Sequence, residues 1–386
     1  YIAPLKDAVD RVHAYGTKLF VQLFHPGRQN VVMFPALWRF NERMARIFPR
    51  YWDLFFKITG GFDESAMDDP KTVKRMRRYM KPLLAPSDVP CGLGVNPIRN
   101  QATKAMTIPQ IKTLIGQFVA AAGRVQKAGA DGVELHAAHG YLLQQFLSPY
   151  TNRREDEYGG SLENRMHLLK EIIDGIRKEC GKDFPISVRL SVEEYYDMIG
   201  YAGQGIVLEE GVKMAKCLES FGIDVLNVSS GNYDTAQTSC EPVSFAQGWR
   251  KYLAKAVKDE VRIPVIAANL IRTPEQAEAQ LAEGVQDFIG MGRPFLSDPA
   301  WVNKAEEGRS EDIQRCICCL RCMEYFQDHI MNGEPVGCAV NPRACRESEM
   351  MDAAPKNGGQ RQIVIVGAGP ARLTAAKELA ARDFKV

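Results

Sequence analysis

Short apolar runs alternate with helix-patterned segments between positions 18 and 293, and this alternation constrains the fold more than any other feature of the chain. The six runs are rich in Val, Ile, Leu, Phe and Ala, which is typical of strands buried on both faces of a sheet. They are KLFVQLF (18–24), GVELHAA (132–138), ISVRLS (186–191), DVLNVSS (224–230), IPVIAAN (263–269) and DFIGMG (287–292). Strands that alternate with helices in this way predict a parallel α/β sheet.

The segment before the second run carries clear signals for the start and the end of a helix. Thr107 and Gln110 form a T-x-x-Q capping box, and Pro109 stands in the first turn. Apolar residues then recur at helical spacing until Gly129, which favours the end of the helix. We therefore predict a helix between Thr107 and Gly129.

A closed (β/α)₈ barrel needs eight strands, and six are counted here. The structural alternative is an open doubly wound sheet, which does not explain why chemically reactive residues follow nearly every strand. We predict a TIM barrel over residues 1–303 that lacks its first two β/α units in this chain. A segment rich in aromatic and basic residues, at about 30–84, interrupts it.

Composition excludes several functional classes. The chain of 386 residues is 45% hydrophobic and 25% charged, as in ordinary globular proteins, and its formal net charge is +2. A dedicated nucleic-acid binder has a strongly basic face, so we expect no nucleic-acid partner. No apolar stretch reaches the roughly 18 residues that a membrane span requires. We expect a cytoplasmic protein without a transmembrane segment.

The motif His136-Ala-Ala-His139-Gly-Tyr141 follows the strand GVEL. Active sites of barrels lie at the carboxyl ends of the strands, so two imidazoles and a phenol would enter one cavity there. The alternative is a pair of core histidines with satisfied hydrogen bonds and a packing tyrosine. Because three polar side chains cluster at one strand end, we favour a catalytic site.

Six of the ten cysteines fall within thirty residues, between positions 316 and 345. Three thiols spaced C-x₂-C-x₂-C and a fourth further on suit a [4Fe–4S] cluster, with a structural zinc site as the rival. The candidate ligands are Cys316, Cys319, Cys322 and Cys338. Cys318 adds a thiol inside the motif, which leaves the choice between Cys318 and Cys319 open. We assign 304–350 to this iron–sulfur segment.

Residues 351–386 contain a polar linker followed by QIVIVGAGPAR. A strand followed by a glycine-rich turn and a helix is the opening of a dinucleotide-binding domain. Gly367 and Gly369 occupy the first two glycine positions of the fingerprint, and Arg372 stands at the third. We predict the truncated start of a Rossmann-like, dinucleotide-binding domain.

The run HAAHGYLLQQFLSPYTNRREDEYGGSLENR (136–165) resembles the signature of the old yellow enzyme family of NADH:flavin oxidoreductases. The runs FVQLFHPGR (20–28), SVRLS (187–191), NVSSG (227–231) and FIGMGRPFLSDP (288–299) match that family in the same order. The resemblance implies that His136 and His139 bind the carbonyl oxygen of an enone or enoate substrate. Hydride would pass from FMN to the β-carbon, and Tyr141 would donate a proton to the α-carbon.

The resemblance also implies the FMN contacts. Gln22 would bind the pyrimidine edge of the flavin, and Arg189 would lie beside flavin N1. Gly292 and Arg293, with the backbone near Asn269, would form the phosphate site.

The cysteine motif resembles the iron–sulfur branch of this family, which holds 2,4-dienoyl-CoA reductase, enoate reductase and bile-acid oxidoreductases. Electrons in that branch run from NAD(P)H through FAD and the cluster to FMN, so we expect FAD and NAD(P)H to bind the full-length parent. The substrate would be an enoate, an enoyl-CoA or a 3-oxosteroid. An amine dehydrogenase and a non-catalytic electron-transfer subunit are the alternatives.

The segment at 30–84 is interpreted as a lid, an interface of a homo-oligomer or a peripheral membrane helix.

Overall fold

The computed structural model describes residues 2–29, 82–92, 102–329, 335–348, 355–359 and 361–386, together with positions 43–44, 47–48 and 50. The aromatic and basic segment predicted at about 30–84 lies almost entirely outside the described residues. Its three interpretations therefore stay predictions.

Eight strands and twelve α-helices are found among the described residues. The strands are β1 (Phe20–Leu23), β2 (Leu83–Ala85), β3 (Thr103–Ala105), β4 (Gly132–Ala137), β5 (Ile186–Ser191), β6 (Val225–Ser229), β7 (Val265–Ala267) and β8 (Phe288–Ile289). The helices are α1 (Ile2–His13), α2 (Ile108–Lys127), α3 (Leu142–Leu147), α4 (Leu162–Cys180), α5 (Leu208–Ser220), α6 (Ala236–Ser239), α7 (Lys251–Lys258), α8 (Pro274–Ala282), α9 (Arg293–Ser297), α10 (Trp301–Glu306), α11 (Arg321–His329) and α12 (Pro370–Ala381).

The main sheet has six parallel strands in the order β1-β4-β5-β6-β7-β8. Each of the six apolar runs contains one of these strands, so the prediction of a parallel α/β sheet is confirmed. β2 and β3 form a separate parallel pair that the sequence did not predict. Each has three residues, which is too short for a periodic pattern to show.

Strands of the main sheet that follow one another in the chain lie side by side, without any reversal of direction along the sheet. A doubly wound sheet has a switch point where the strand order reverses. The described strands show no such point, so the alternative of a doubly wound sheet is wrong for this part of the chain. The order is that of consecutive β/α units, as in a barrel.

The capping box before α2 is present as predicted. The Gln110 backbone N–H donates to Thr107 Oγ1 at 3.4 Å, and the Gln110 side chain accepts from the Thr107 backbone N–H at 2.9 Å. Gly129 follows the helix with a φ of +86°, which favours glycine.

The face of α2 that carries Ile111, Leu114 and Phe118 belongs to the main apolar core, together with the buried residues of β4 and β5. Each fully buried side chain of this size contributes about 1.5–3 kcal/mol relative to an exposed one. This core holds the strands in place and so fixes the positions of their carboxyl ends.

The C-terminal segment differs in part from its prediction. α12 follows Gly369 as expected, but the run QIVIV makes only an isolated parallel bridge, between Gln362 and Lys385. A parallel strand forms only where a neighbouring strand accepts and donates its backbone hydrogen bonds. Lys385 supplies one short contact, and Val364 and Val366 are exposed. The predicted strand is therefore wrong for this chain, and the dinucleotide-binding domain stays a prediction.

None of the helices in the described ranges combines the length and the apolar character that crossing a membrane would demand.

Candidate active site

The register of the strands brings together residues that were predicted for catalysis and for flavin binding. His136 on β4 lies opposite Arg189 on β5, which lies opposite Asn227 on β6. Gln22 on β1 lies opposite Glu134, two positions before His136. Side chains two apart in a strand share a face, so Glu134 and His136 project to the same side of the sheet.

The turn after β4 brings His139 and Tyr141 next to His136. The ring centroid of His136 lies 5.1 Å from that of His139 and 5.0 Å from that of Tyr141. His139 adopts a left-handed φ of +58°, and Gly140 follows at +76°. A Cβ on Gly140 would meet the Gln29 side chain at 2.2 Å, so this turn requires glycine there.

Two serines from neighbouring strands hold His139 in this unusual conformation. Its backbone N–H donates to Ser191 Oγ at 3.1 Å, and its Nε2 lies 2.7 Å from Ser229 Oγ. Ser191 ends β5 and Ser229 ends β6, so the first holds the backbone of His139 and the second holds its imidazole.

Both imidazoles are held neutral. Burial lowers the pKa of His136 to about 3, with a further contribution from the Arg189 cation. The pKa of His139 is also lowered well below its usual value, first by burial and then by Arg189. A neutral imidazole carries one N–H donor and one acceptor nitrogen, and neither histidine adds a positive charge to the site at neutral pH.

Two buried polar atoms at this site have no hydrogen-bond partner among the described residues. They are Nδ1 of His136 and Nε of Arg189. Because a buried polar atom without a partner costs about 1–3 kcal/mol, such atoms indicate a place where a ligand completes the hydrogen bonding.

Tyr233 is a site residue that the sequence analysis missed. Its hydroxyl lies 2.8 Å from that of Tyr141, and the two rings meet edge to face. Burial raises the pKa of Tyr233, and its hydrogen bond with Tyr141 adds to this effect. Phe24 packs on the other side, with its ring centroid 5.2 Å from that of Tyr141. The only sequence signal for Tyr233 was its position four residues after the end of β6.

Glu134 was also missed, because it stands inside a strand that otherwise reads as buried. Its carboxylate accepts hydrogen bonds from Gln22 Nε2 at 2.7 Å, Ser187 Oγ at 2.9 Å and Asn227 Nδ2 at 3.0 Å. Because a carboxylate only accepts, it orients the amides of Gln22 and Asn227 with their oxygens directed away from it. The Glu134 charge also favours the charged form of nearby Arg189, whose pKa burial lowers.

The residues predicted for a phosphate site lie at the carboxyl ends of β7 and β8. Asn269 is buried, and its side-chain Nδ2 donates to Gln280 and Gln286, so neither side-chain N–H is free for an anion such as phosphate. Gly292 precedes α9, whose first residue is Arg293. Arg293 donates to the backbone oxygen and the carboxylate of Glu241, at 2.7 and 2.9 Å.

The four candidate cluster ligands line one small pocket with a largely apolar wall. These cysteines are Cys316, Cys319, Cys322 and Cys338. Cys318 is buried with a left-handed φ of +53°, and it does not line this pocket. Within the described ranges, no group of three or more His, Cys, Asp or Glu side chains could hold a metal ion.

The two glycines of the fingerprint flank the start of α12. Gly367 has a φ of +104°, and a Cβ there would meet the Arg372 side chain at 2.7 Å. Gly369 is the N-terminal cap residue of α12. Arg372 therefore occupies space beside the turn that a third glycine would leave open.

Comparison with known proteins identifies the family of this chain. Residues 1–312 match the NADH:flavin oxidoreductase / NADH oxidase family. The chain belongs to this family. The family is one of FMN-dependent oxidoreductases, and the resemblance to old yellow enzyme is confirmed.

Two curated relatives and one solved structure show how far the similarity extends. The chain is 40% identical to an NADH oxidase of Thermoanaerobacter brockii over all of this chain and 50% of that protein. It is 33% identical to a cinnamate reductase of Clostridium sporogenes over 90% of this chain and 51% of that protein. A 2-naphthoyl-CoA reductase in complex with 2-naphthoyl-CoA superposes with a TM-score of 0.71 at 31% identity, covering 79% of this chain and 44% of that one. The chain thus spans about half the length of these relatives.

Proposed function

We propose that this chain belongs to an NAD(P)H-dependent ene-reductase that reduces a C=C bond conjugated to a carbonyl group. The observation that carries the proposal is the convergence of His136, His139 and Tyr141 within about 5 Å at the carboxyl end of β4. Two neutral imidazoles and a phenol suit a substrate that gains negative charge on oxygen and a proton on carbon.

His136 and His139 polarise the substrate. Each neutral imidazole can donate one hydrogen bond to a carbonyl oxygen on which charge develops, and the Arg189 cation beside them adds positive potential. Removing one such donor from an enzyme site typically lowers the rate by about 10²–10³-fold. Because both rings stay neutral, this polarisation does not depend on protonating a histidine.

Tyr141 is proposed as the proton donor to the α-carbon. Its phenol lies beside His136, and its hydroxyl is hydrogen-bonded to that of Tyr233. Tyr233 keeps its own proton, because burial raises its pKa. It is therefore placed to donate a hydrogen bond to the Tyr141 oxygen when Tyr141 gives its proton away.

The residues around His136 fit FMN. The unpartnered Nδ1 of His136 and Nε of Arg189 are buried polar atoms that a flavin and a substrate would satisfy. Gln22 presents its amide oxygen as an acceptor, because its nitrogen is held by Glu134. FMN, when bound, supplies the hydride. Gln22 and Arg189 would hold its ring, and Gly292 and Arg293 with the Asn269 backbone would hold its phosphate.

The cysteine pocket fits a [4Fe–4S] cluster better than zinc. A zinc ion needs four sulfurs within about 2.3 Å of one point, whereas the four thiolates of a cluster each bind a different iron and so stand further apart. Three cysteines spaced C-x₂-C-x₂-C and a fourth further along the chain line one pocket, and this spacing favours the cluster. The cluster, when bound, passes single electrons. Cys319 is the proposed ligand over Cys318, which lies outside the pocket.

The remaining parts of the proposal concern the whole protein. Consecutive strand order and exposed aromatic side chains on the edge strands, Phe20 and Phe288, support a (β/α)₈ barrel completed by further strands. FAD and NAD(P)H would bind the full-length parent, where Gly367 and Gly369 open the dinucleotide site. We propose a cytoplasmic enzyme.

The proposed substrate is an enoate, an enoyl-CoA or a 3-oxosteroid. Two of the similar proteins are called cinnamate reductase and 2-naphthoyl-CoA reductase, which supports the first two classes. Phe24 and Tyr233 give the site aromatic walls, as a ring-bearing substrate would need.

The test begins with an anaerobic absorbance spectrum and with iron and flavin analysis of the full-length protein. We expect FMN, FAD and about four irons per chain. The chemically reduced protein is then mixed with an enoate or enone, and Tyr141→Phe is compared with Tyr252→Phe, which removes a hydroxyl outside the site. Loss of alkene reduction in the first variant alone supports the proposal. Equal rates in both would refute Tyr141 as the proton donor. No alkene reduction by the wild type would favour a pure electron-transfer subunit, and zinc without flavin would refute the cofactor assignment.

A further inference from the structure

A buried carboxylate lies between two arginines at the end of the sheet that carries β7 and β8. Glu241 Oε2 accepts from Arg293 Nη2 at 2.9 Å, and Glu241 Oε1 lies 3.1 Å from Arg250 Nη2. Trp249 Nε1 also donates to Glu241 Oε1, at 3.2 Å. We call Arg250, Glu241 and Arg293 the triad. Its two cations and one anion give it a net charge of +1.

Arg250 anchors the triad to the sheet. Its guanidinium donates to Ser230 Oγ at 2.9 Å, to the Thr238 backbone oxygen at 2.8 Å and to the Ala268 backbone oxygen at 2.6 Å. These partners follow β6 and β7, and Arg250 is buried. Glu241 is therefore held from one side by a fixed cation, and it fixes Arg293 on the other side.

Arg293 forms part of the wall of the cysteine pocket, together with Cys316, Cys319, Cys322 and Cys338. Its guanidinium is clamped by two hydrogen bonds to Glu241, so its charge stands at a defined place beside the thiols. Most of the other wall residues are apolar, among them Leu296 and Val340. Such apolar neighbours lower the local dielectric around the charge, although Cys319 and Ile317 reach the solvent.

We propose that Arg293, held in place by Glu241, sets the reduction potential of the cluster in this pocket. Arg293 is thus a positioning residue for electron flow, and the Glu241 carboxylate acts on the potential in the opposite direction. This inference rests on the proposed function, because it requires the [4Fe–4S] cluster. Each electron that enters a thiolate-bound cluster adds one negative charge to the pocket. The Arg293 cation stabilises that charge, whereas the Glu241 carboxylate opposes it, so the two side chains have effects of opposite sign.

The experiment is a redox titration of the full-length holoenzyme, followed by the electron paramagnetic resonance signal of the reduced cluster. In Arg293→Gln we expect the ratio of reduced to oxidised cluster at a fixed potential to fall about tenfold, which for one electron is a shift of about 59 mV to more negative potential. In Glu241→Gln we expect a shift in the opposite direction. Arg293→Lys keeps the charge and should stay close to the wild type.

A matched control removes the same charge where water screens it. Arg315 is exposed and directly precedes Cys316 in the chain. Arg315→Gln should leave the midpoint unchanged, since an exposed charge acts through a high dielectric. Iron and FMN contents are measured for every variant, so that neither loss of the cluster nor loss of FMN, whose phosphate Arg293 would also contact, is mistaken for a shift.

Shifts of opposite sign in the Arg293→Gln and Glu241→Gln variants support the inference, because a merely structural defect would move both in one direction or release iron from both. Shifts in the same direction, or no shift, overturn it while leaving the proposed function standing. If Arg293→Gln fails to assemble its cluster, the Glu241→Gln variant decides alone. A shift to more positive potential then supports the inference, and a shift to more negative potential or no shift overturns it. A wild-type protein without iron would instead refute the cluster assignment itself.

Discussion

The hydroxyl pair of Tyr141 and Tyr233 leads to a specific prediction for the variant Tyr233→Phe. The two oxygens lie 2.8 Å apart, and the ring of Tyr233 is partly buried against that of Tyr141. Phenylalanine keeps the ring and removes only the hydroxyl. The perturbation therefore acts on one hydrogen bond and leaves the packing of the pair intact.

The magnitude follows from the charge that forms on Tyr141. When Tyr141 donates its proton it becomes a phenolate, and a hydrogen bond to a charged group contributes about 1.5–3 kcal/mol. Since about 1.4 kcal/mol corresponds to a factor of ten, the proton-transfer step should slow roughly 10- to 150-fold. Binding of substrate should change little, because Tyr233 contacts Tyr141 and not the carbonyl oxygen in this proposal.

The assay is rapid mixing of the chemically reduced protein with an enoate, followed over a range of pH and in heavy water. We expect kcat to fall in Tyr233→Phe with KM nearly unchanged and with a larger solvent isotope effect. Tyr252→Phe is the matched control, because Tyr252 forms a similar hydroxyl pair with Tyr195, at 2.7 Å, outside the site.

Two results would refute this reasoning. An equal loss of rate in Tyr252→Phe would mean that any broken tyrosine pair weakens the fold. An unaltered solvent isotope effect in Tyr233→Phe would mean that Tyr233 does not support proton donation, whatever its effect on the rate.

Three further predictions follow from individual side chains. Replacing Asp234 by Asn leaves the buried guanidinium of Arg28, 2.6 Å away, without its counter-charge, and should lower the free energy of unfolding by about 3–5 kcal/mol in a urea titration. His136 has a folded-state pKa of about 3 against 6.5 when unfolded, so stability should be full above pH 6.5 and fall by about 1.4 kcal/mol per pH unit below it. His136→Gln should remove that part of the slope, and an unchanged slope would contradict the assignment. Cys319→Ser should lose iron whereas Cys318→Ser keeps it, and the reverse pattern would exchange the two roles.

Local patterns were sufficient for the elements whose signals lie close together in the chain. Apolar runs of six or seven residues predicted all six strands of the main sheet, because the central strands are buried on both faces and so have to be largely apolar. The capping box at Thr107 predicted the start of α2 for a similar reason, since its partners are three residues apart. The spacing of His136, His139 and Tyr141 likewise placed three polar side chains at one strand end.

A local pattern failed where the structure required a distant partner. The run QIVIV reads as a strand, yet it forms only a bridge at Gln362, because strand hydrogen bonds need a neighbouring strand of sufficient length. β2 and β3 show the converse: they pair although neither has a visible pattern, since residues twenty positions apart meet through the fold.

The sequence by itself determined the class of fold, the family and the residue types available for catalysis. Only the tertiary structure decided which side chains meet: Tyr233 with Tyr141 across 92 positions, Asn227 with Glu134 across 93, and Arg293 with Glu241 across 52. The physical reason is that spacing along the chain fixes neighbours within one helix or strand, whereas contacts between elements depend on strand register and on the packing of the core. The partners that orient the proposed catalytic and redox groups all belong to this second kind.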